Sequence, residues 1–391
     1  MLKNLWYVAT HAADVPADRP KHARVLGQDL VIFRSGDGFA CLHNVCVHRG
    51  GNLARGELHG ASVMCPYHGW EFNAEGRCTR IPSLGPEARI PKRARVDAYP
   101  AEERYGFVWV FLGDLPAERR PPIPDIFPEY YDTENWRCIS GAFHYKANWQ
   151  RVTENGLDSA HTHFVHPAFG NREDPRVEDA EIEHLAWGAR TGHFYQAKEK
   201  KGGLGEILDK DRGGRKGAST DLQFHMCGLT VKLKQIMSPV VSQIIFSCKT
   251  PLDEENTLTF YVQARNYLMD PDQDEERRKG LLEVFQQDAD IVEYIAPPKV
   301  PAGLADELSV STDKMPMAFR IFCKRLAKKG WELDPHAIPA VAQGKELRVV
   351  ACPARREDPS GWTFKPMPTT LPENDDEELD IEAESQAAMA S

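Results

Sequence analysis

The stretch Asn155–His166 concentrates residue types that bind metals, with three histidines following an aspartate. Four residues separate His161 from His166, so on a regular α-helix their imidazoles would lie about 140° apart and could not bind one ion. The helix must therefore end or distort, and Pro167 supplies a reason because it disfavours the helical conformation at His166. We interpret the stretch as half of an iron site; surface histidines at a helix end are the alternative.

A carboxylate that could complete this site lies in a predicted helix over residues 272–295. Apolar residues recur there at spacings of three and four, which is typical of the buried stripe of an amphipathic helix. Asp288 interrupts that stripe, and a buried carboxylate must be paired, neutralised or bound to a metal. It is therefore a candidate metal ligand or half of a core ion pair. Asp290, in contrast, is predicted on the polar side with Gln286, Gln287 and Glu293.

A second set of metal-binding residue types lies nearer the N-terminus, in the pairs Cys46/His48 and Cys65/His68. Each pair offers one thiolate and one imidazole, and sixteen residues separate the pairs. Such a set holds either a tetrahedral zinc ion or a two-iron, two-sulfide cluster in which cysteines ligate one iron and histidines the other. The Cys-x-His spacing is tighter than that of zinc fingers and favours the cluster.

The elements that must position these residues fall into two parts. Short β-rich runs between turns predict a small all-β domain from Trp6 to Gly113, with a hairpin at Ser35–Gly38. Cys41 and His43 repeat the Cys-x-His pattern on a predicted strand, so we expect them to be packing residues. The proline-dense segment 116–128 predicts a linker. Three later runs predict strands of an antiparallel sheet crossed by the Asp288 helix: Gly228–Lys234, Val240–Cys248 and Leu258–Ala264.

Length and composition agree with a globular protein of two domains, since the chain has 391 residues, of which 41% are apolar and 27% charged. No apolar run is long enough to span a membrane and no signal-peptide core follows the N-terminus, so we expect a cytoplasmic protein. Nine cysteines at irregular spacings argue for reduced thiols, some of them metal ligands, instead of a disulfide framework.

Most of the net charge of −10 comes from the C-terminus, where residues 373–391 contain eight acidic residues and no basic one. We expect a disordered acidic tail there and a nearly neutral folded body. No basic stripe interleaved with aromatics appears, which argues against nucleic acid as a partner. The glycine-rich, charged segment 198–220 is predicted to cover an active-site entrance or to be a solvated excursion. Residues 331–365 predict no element that can be placed.

The cysteine and histidine pairs resemble the Rieske [2Fe-2S] domain of ring-hydroxylating oxygenases, whose pattern they match fully. The run that includes Asn155, Asp158, His161 and His166 is similar to the mononuclear-iron motif of the α subunits of this family. The start of the chain looks most like the α-only branch, which includes dicamba and vanillate demethylases and carbazole dioxygenase. The third ligand of the family is an aspartate nearer the C-terminus, which matches Asp288.

This resemblance implies an α+β protein. It would comprise an all-β Rieske domain at residues 1–118, a helix-grip catalytic domain with an antiparallel sheet at 119–371, and the tail at 372–391. The cluster would be held by Cys46, His48, Cys65 and His68. A mononuclear Fe(II) would be held by a 2-His-1-carboxylate triad that leaves positions open for dioxygen, formed by His161, His166 and Asp288.

Asn155 and Asp158 would then have functional roles near the iron. Asp158 lies three residues before His161, and we expect it on the same helix face. The resemblance implies that it hydrogen-bonds between this histidine and a cluster histidine of a neighbouring subunit, and hence a head-to-tail homotrimer.

The implied activity is that of a terminal oxygenase, which receives electrons from a ferredoxin or an NAD(P)H-dependent reductase. It would hydroxylate or oxidatively dealkylate an apolar, aromatic substrate, since the residues predicted to line the pocket are mostly apolar. An electron-transfer Rieske protein and a zinc-binding module are the alternatives. The first would need only the N-terminal domain, and the second would contain zinc and no coloured cluster.

Overall fold

The computed structural model describes residues 1–178, 180–195, 204–205, 207–208, 218–372 and 374. Their packing divides them into two compact units. The first comprises Met1–Pro122, Thr250–Glu254 and the described residues from Leu326 onward, and the second comprises the described residues of Ile123–Lys249 and Glu255–Arg325. The boundaries predicted from the sequence, at 118/119 and 371/372, assign residues 326–371 to the second domain, whereas the packing assigns them to the first unit. The predicted domain boundaries stay a prediction.

The strands, in chain order, are β1 Leu5–His11, β2 Lys21–Val25, β3 Gln28–Ser35, β4 Gly38–His43, β5 Glu57–His59, β6 Ser62–Met64, β7 Glu71–Phe72, β8 Cys78–Arg80, β9 Ala98–Tyr99, β10 Ala101–Arg104, β11 Phe107–Leu112, β12 Arg137–Tyr145, β13 Glu183–Leu185, β14 Gly188–Tyr195, β15 Ala218–His225, β16 Thr230–Ile236, β17 Ser242–Pro251, β18 Thr257–Arg265, β19 Arg348–Val349 and β20 Lys365–Pro366. The helices are α1 Trp149–Leu157, α2 Thr162–Val165, α3 Asp274–Val292, α4 Lys314–Lys328, α5 Ala337–Ala342 and α6 Ala354–Glu357.

The first unit is built on small antiparallel sheets, with strand orders β1-β11-β10, β2-β3-β4-β9 and β5-β6-β7-β8. The predicted hairpin is present, because Ser35 pairs with Gly38 across a two-residue turn in which Gly36 has a φ of +58°. A core cluster that includes Val31, Phe33 and Phe72 also contains Cys46 and Cys65, the cysteines of the two Cys/His pairs. The all-β prediction for this part of the chain is therefore confirmed.

The second unit is built on one seven-stranded sheet with the order β12-β18-β17-β16-β15-β14-β13. The three runs predicted as strands lie on its central strands β16, β17 and β18. Helix α3 packs against β12 and α1 through a cluster that includes Tyr145, Tyr261 and Phe285. The predicted α+β class, with a helix crossing an antiparallel sheet, is confirmed.

The first turn of α3 anchors this helix to the sheet. Asp274 accepts hydrogen bonds from Arg137 on β12 at 2.6 Å and from Arg265 on β18 at 2.7 Å. Acidic residues in the first turn are also favoured by the helix dipole. Further along the helix, Leu281, Phe285 and Asp288 are buried, which is the predicted stripe. The sequence pattern therefore directs one carboxylate of this helix into the interior.

The expectation of reduced thiols instead of a disulfide framework fails at one pair of cysteines. Cys227, in the turn between β15 and β16, is bonded to Cys323 on α4, with the Cα atoms 5.6 Å apart. The two residues are separated by 96 positions, so no local spacing in the sequence reveals the pair. The other cysteines are free thiols.

Two segments singled out in the sequence lie largely outside the residues that the structure describes. The acidic tail lies outside the described residues except for Pro372 and Asn374, as does most of the segment 198–220. The stretch 331–365, which the sequence did not place, contributes α5, β19, α6 and the start of β20. Within the described chain, no helix is both long and apolar enough to cross a membrane. The expected cytoplasmic location stays a prediction.

Removing the Phe285 ring should destabilise the second unit. Its ring lies 5.4 to 6.4 Å from those of Phe143, Tyr145 and Tyr261. Phe285→Ala should lower the free energy of unfolding by about 3–5 kcal/mol, because it leaves a cavity in this cluster. Urea unfolding followed by far-ultraviolet circular dichroism measures the change. Glu283→Ala, on the exposed face of α3, is the control and should shift stability by less than about 0.5 kcal/mol. Equal midpoints for the two variants would contradict the packing described.

Candidate metal centres

The Cys/His pairs of the first unit lie on two loops of matching design. The Gly50 amide donates to the Cys46 carbonyl at 2.9 Å, and the Gly69 amide donates to the Cys65 carbonyl at 3.0 Å. Both glycines have a φ of +70°, a conformation that residues with a Cβ rarely adopt. At Gly51 a Cβ would lie 2.6 Å from the Cys65 sulfur. The glycines beside the pairs thus permit tight loops and a close approach to sulfur.

The two loops bring like ligands together. The Cys46 and Cys65 side chains are buried and hydrogen-bonded to each other, and this bond lowers the pKa of Cys65 to about 6. The imidazoles of His48 and His68 are exposed, with ring centroids 4.5 Å apart, and Trp70 stacks on His48. Adjacent thiols and adjacent imidazoles fit a cluster in which cysteines hold one iron and histidines the other.

The pair that repeats the Cys-x-His pattern, Cys41 and His43, lies elsewhere in the first unit. Cys41 and His43 lie on β4 and are buried, with His43 packed against Phe364 at 5.4 Å between ring centroids. Burial lowers the pKa of His43 to about 4. Both residues pack within the first unit, in agreement with the role expected from their position on a strand.

In the second unit the chain distorts at the expected place. Helix α1 ends at Leu157, the short helix α2 follows, and His166 has extended backbone angles of −110° and 93° directly before Pro167. His163 and His166 are buried, so the alternative of surface histidines is excluded. The break lets the imidazoles of His161 and His166 approach to 5.3 Å between ring centroids.

Three side chains converge at this break. Asp288 Oδ1 lies 3.4 Å from His161 Nε2 and 3.2 Å from His166 Nε2, and one ligand atom from each residue lies within 4.8 Å of the others. Asp288 is 7% exposed, and its Oδ1 atom has no hydrogen-bond partner of acceptable geometry among the described residues. A buried carboxylate oxygen facing two imidazoles without hydrogen-bonding to either is the arrangement that one metal ion would satisfy.

The residues around this triad differ in part from the sequence-based expectation. Asp158 does not share a helix face with His161, because it ends α1 in an extended conformation. It instead accepts a hydrogen bond from the Ala160 amide at 2.7 Å, and its Oδ2 atom lies 3.6 Å from His161 Nδ1. Asn155 hydrogen-bonds Asp288. Asp158 and Asn155 thus approach one triad residue each.

One further residue, Gln287, contacts the triad although its sequence pattern does not indicate it. Gln287 was placed on the polar side of its helix, but its Oε1 atom lies 2.9 Å from Nδ1 of His166. Its position next to Asp288 is the only sequence signal, since consecutive residues on a helix point about 100° apart. Asp290 is exposed and hydrogen-bonds Gln286, as expected of the polar side.

The electrostatics of the triad favour a cation. Burial by itself would lower the pKa of His161, but the carboxylates of Asp158 and Asp288 raise it to about 9. Burial would likewise raise the pKa of Asp288, but the two imidazoles and the Asn155 amide lower it to about 2. Two carboxylates therefore stabilise positive charge at a buried point, whether it is carried by an imidazole or by a metal ion.

A cavity of about 580 Å³ adjoins the triad within the second unit. Much of its lining is apolar, including Phe169, Leu222, Val231, Leu233, Met237 and Ile245. Polar side chains from β17 and β18 also face it, including Ser247, Lys249, Thr259 and Gln263. Its volume lies in the range that holds a small organic ligand.

Comparison with protein families assigns both halves of the chain. Residues 5–100 match the Rieske [2Fe-2S] domain, and residues 145–329 match the vanillate O-demethylase oxygenase C-terminal domain. The first match contains both Cys/His pairs, and the second contains His161, His166 and Asp288.

Similar proteins occur in bacteria. A putative toluene-4-sulfonate monooxygenase iron-sulfur subunit from Comamonas testosteroni is 39% identical over 169 residues, which cover 43% of this chain and 47% of that protein. The chain thus matches about half the length of this relative. Methylxanthine N1-demethylase from Pseudomonas putida is 26% identical over 333 residues, or 83% of this chain and 89% of the demethylase.

Solved structures show the same fold. The demethylase bound to caffeine superposes with a TM-score of 0.68 at 22% identity, over 87% of this chain and 94% of that one. Dicamba monooxygenase bound to 3,6-dichlorosalicylic acid superposes with a TM-score of 0.67 at 23% identity, over 88% and 98%.

The chain joins a Rieske [2Fe-2S] domain to a catalytic domain of the vanillate O-demethylase oxygenase family, and these two domains in this order are those of the Rieske non-haem iron oxygenases. Within the family its catalytic half is of the vanillate O-demethylase type. The cofactors of the family are the [2Fe-2S] cluster and a mononuclear iron.

Asp288 and Asp290 offer a matched pair of variants on one helix. Asp288→Ala should lose the mononuclear iron while keeping the visible spectrum of the cluster, because it removes one of three converging ligands. Asp290→Ala should retain both, because its carboxylate faces solvent. Iron analysis together with absorption spectroscopy checks both variants. Loss of iron from the Asp290 variant alone would overturn the assignment.

Gln287 provides a test of how His166 is oriented. Gln287→Leu should weaken the binding of Fe(II) by about 10- to 100-fold, because the Nδ1 atom of a ligating histidine loses its partner. Competition with a chelator of known affinity measures the change in apparent dissociation constant. Gln286→Leu, one position away and exposed, is the control and should bind Fe(II) as the wild type does. Equal affinities for the two variants would show that Gln287 does not position the ligand.

Proposed function

We propose that this protein is the terminal oxygenase component of a multicomponent system, and that it inserts oxygen from O2 into a substrate with an apolar, aromatic ring. The observation that carries the proposal is the convergence of His161, His166 and Asp288 beside a cavity of ligand size. An electron-transfer protein would need neither feature. The reaction is hydroxylation or oxidative dealkylation.

The residues divide the work between two centres. Cys46, Cys65, His48 and His68 would hold the cluster, and His161, His166 and Asp288 would hold the iron. The bound iron would supply the site at which dioxygen is activated with electrons delivered through the cluster. Asn155 would fix the carboxylate of Asp288, and Gln287 would fix the ring of His166.

The cavity would hold the substrate next to the triad. Its apolar walls favour an aromatic ring, and their burial keeps water away from the reacting atoms. The relatives and structural neighbours named above include proteins described as acting on, or shown bound to, substituted aromatic or purine rings. Their names support an aromatic substrate for this chain.

The partners would be a ferredoxin, an NAD(P)H-dependent reductase and further copies of the chain. The exposed imidazoles of His48 and His68 leave the cluster open to an approaching protein. The Asp158 side chain lies beside His161 and is 29% exposed, so a neighbouring subunit can also contact it. Both features support a head-to-tail homotrimer in which Asp158 accepts a hydrogen bond from a cluster histidine of a neighbouring subunit.

The function is tested by oxygen uptake with a surrogate reductase and ferredoxin over a panel of aromatic compounds. The purified protein should be brown and show a Rieske-type electron paramagnetic resonance signal on reduction. At least one compound should stimulate oxygen uptake and give a product that contains labelled oxygen from O2. A colourless protein carrying stoichiometric zinc after aerobic and anaerobic preparation alike would refute the proposal.

Asp158→Asn separates electron delivery from metal binding. The substitution is nearly isosteric and keeps an acceptor oxygen, so both metals and the trimer should survive. Oxidation of the reduced cluster in a single turnover with substrate and O2 should be slowed strongly, because the bridging carboxylate is lost. Stopped-flow absorption measures the rate, and iron analysis is the control. A wild-type rate would remove the main support for the bridging role and for the trimer.

A further inference from the structure

One wall of the cavity combines a buried cation with unused hydrogen-bonding groups. Lys249 lies on β17 and lines the cavity, and its side chain is 5% exposed. The ammonium donates one hydrogen bond, to the Ser247 hydroxyl at 2.7 Å. Across the part of the chain that the structure describes, no carboxylate lies within ion-pair distance of it.

A buried charge without a counter-ion is costly, and other buried lysines of this protein avoid that cost. Lys232, on the neighbouring strand β16, is paired with Glu129 at 3.0 Å. Lys3, in the first unit, lies 3.5 Å from Asp114. Lys249 is buried to the same degree as these two. Lys249 therefore lacks the neighbouring carboxylate that Lys232 and Lys3 each have.

Two further groups on the adjacent strand β18 point to a ligand in the same cavity. The Thr259 hydroxyl and the Gln263 carbonyl oxygen are buried, line the cavity and have no hydrogen-bond partner in the described chain. Native structures rarely leave such atoms unpaired. Together with Lys249 they provide donors and an acceptor on one polar wall, while much of the remaining lining is apolar.

We propose that Lys249, with the hydroxyl of Thr259, binds an anionic group of the substrate, so that the substrate is an aromatic acid bearing a carboxylate or a sulfonate. The inference rests on the proposed function, because it takes this cavity to be the substrate site. Lys249 is then the residue that determines specificity for acids over neutral aromatic compounds.

The charge state of Lys249 agrees with this role. Burial lowers the pKa of Lys249 to about 8, so the side chain is mostly protonated at pH 7. The charge of Asp288 acts on it in the opposite direction, but that carboxylate is directed at His161 and His166. It is therefore committed to the triad and is not the counter-ion of Lys249.

Three other lysine or arginine side chains line the cavity, those of Arg176, Arg277 and Lys279, and Lys279 is exposed. The two arginines each have a carboxylate neighbour. Arg176 is paired with Asp174 at 2.6 Å on an exposed side chain. Arg277 lies 3.7 Å from Glu276. Neither is a buried cation without a counter-ion. They serve as matched controls, because they share the cavity and the positive charge.

The test compares the binding of benzoate, benzenesulfonate and neutral benzamide to the iron-loaded protein under anaerobic conditions. Isothermal titration calorimetry measures binding without turnover. The wild type should bind at least one of the two anions about 10- to 100-fold more tightly than benzamide, because a charged hydrogen bond contributes on that scale. The preferred anion shows whether the site takes a carboxylate or a sulfonate.

Variants assign the preference to one residue. Lys249→Met should abolish it and leave benzamide affinity within about threefold, whereas Lys249→Arg should restore part of it. Arg176→Met and Arg277→Met should keep it. Benzenesulfonate is included because the carboxylate of benzoate can also bind directly to the iron. Such binding would give an anion preference that Lys249→Met does not remove.

The proposal is overturned if the wild type binds both anions no better than benzamide, a result that needs no variant and stands even if Lys249→Met fails to fold. It is also overturned if Arg176→Met or Arg277→Met loses the preference while Lys249→Met keeps it. These outcomes are separate from failure of the proposed function. Absence of iron or of oxygen uptake would refute the function, whereas absence of an anion preference in a wild-type protein that consumes oxygen would refute only the role of Lys249.

Discussion

The second unit depends on one buried carboxylate that faces two imidazoles. Asp288 reaches this point because α3 buries the stripe to which it belongs, and Arg137 and Arg265 hold the first turn of that helix against the sheet. A carboxylate there would be costly without positive charge beside it. The break between α1 and α2 brings the histidines to it, so the local conformation and the charge at the site require each other.

The two candidate centres place their ligands in different ways. In the first unit, short glycine-containing loops hold two thiols inside the core and leave two imidazoles at the surface. In the second, all three ligands lie on or beside helices and are largely buried. An exposed imidazole pair suits exchange of electrons with a partner protein. A buried triad beside an apolar cavity suits chemistry that must exclude water. The difference between the two centres is therefore whether the ligand side chains point into a core or toward the surface.

Polar groups in the cavity distinguish it from an ordinary core. Lys232 and Lys249 lie on neighbouring strands at similar burial, but only Lys232 has a carboxylate partner. In an ordinary core, replacing an unpaired lysine by an apolar residue would stabilise the protein, because the cost of burying the charge would be removed. An environment that keeps Lys249, Thr259 and Gln263 incompletely paired is arranged for a group that arrives with a ligand.

The sequence by itself determined the features that depend on neighbouring residues. The spacing of the Cys/His pairs, the proline after His166, and the stripe through Asp288 each have a local physical cause, and they led to the candidate ligands. The β-rich runs and the resemblance to a known family led to the fold class. Tertiary structure decided the rest. The bond from Cys227 to Cys323, the contact of Gln287 with His166, and the missing counter-ion of Lys249 depend on which distant elements meet. Local periodicity shows which face of an element is buried, but it does not show what that face contacts.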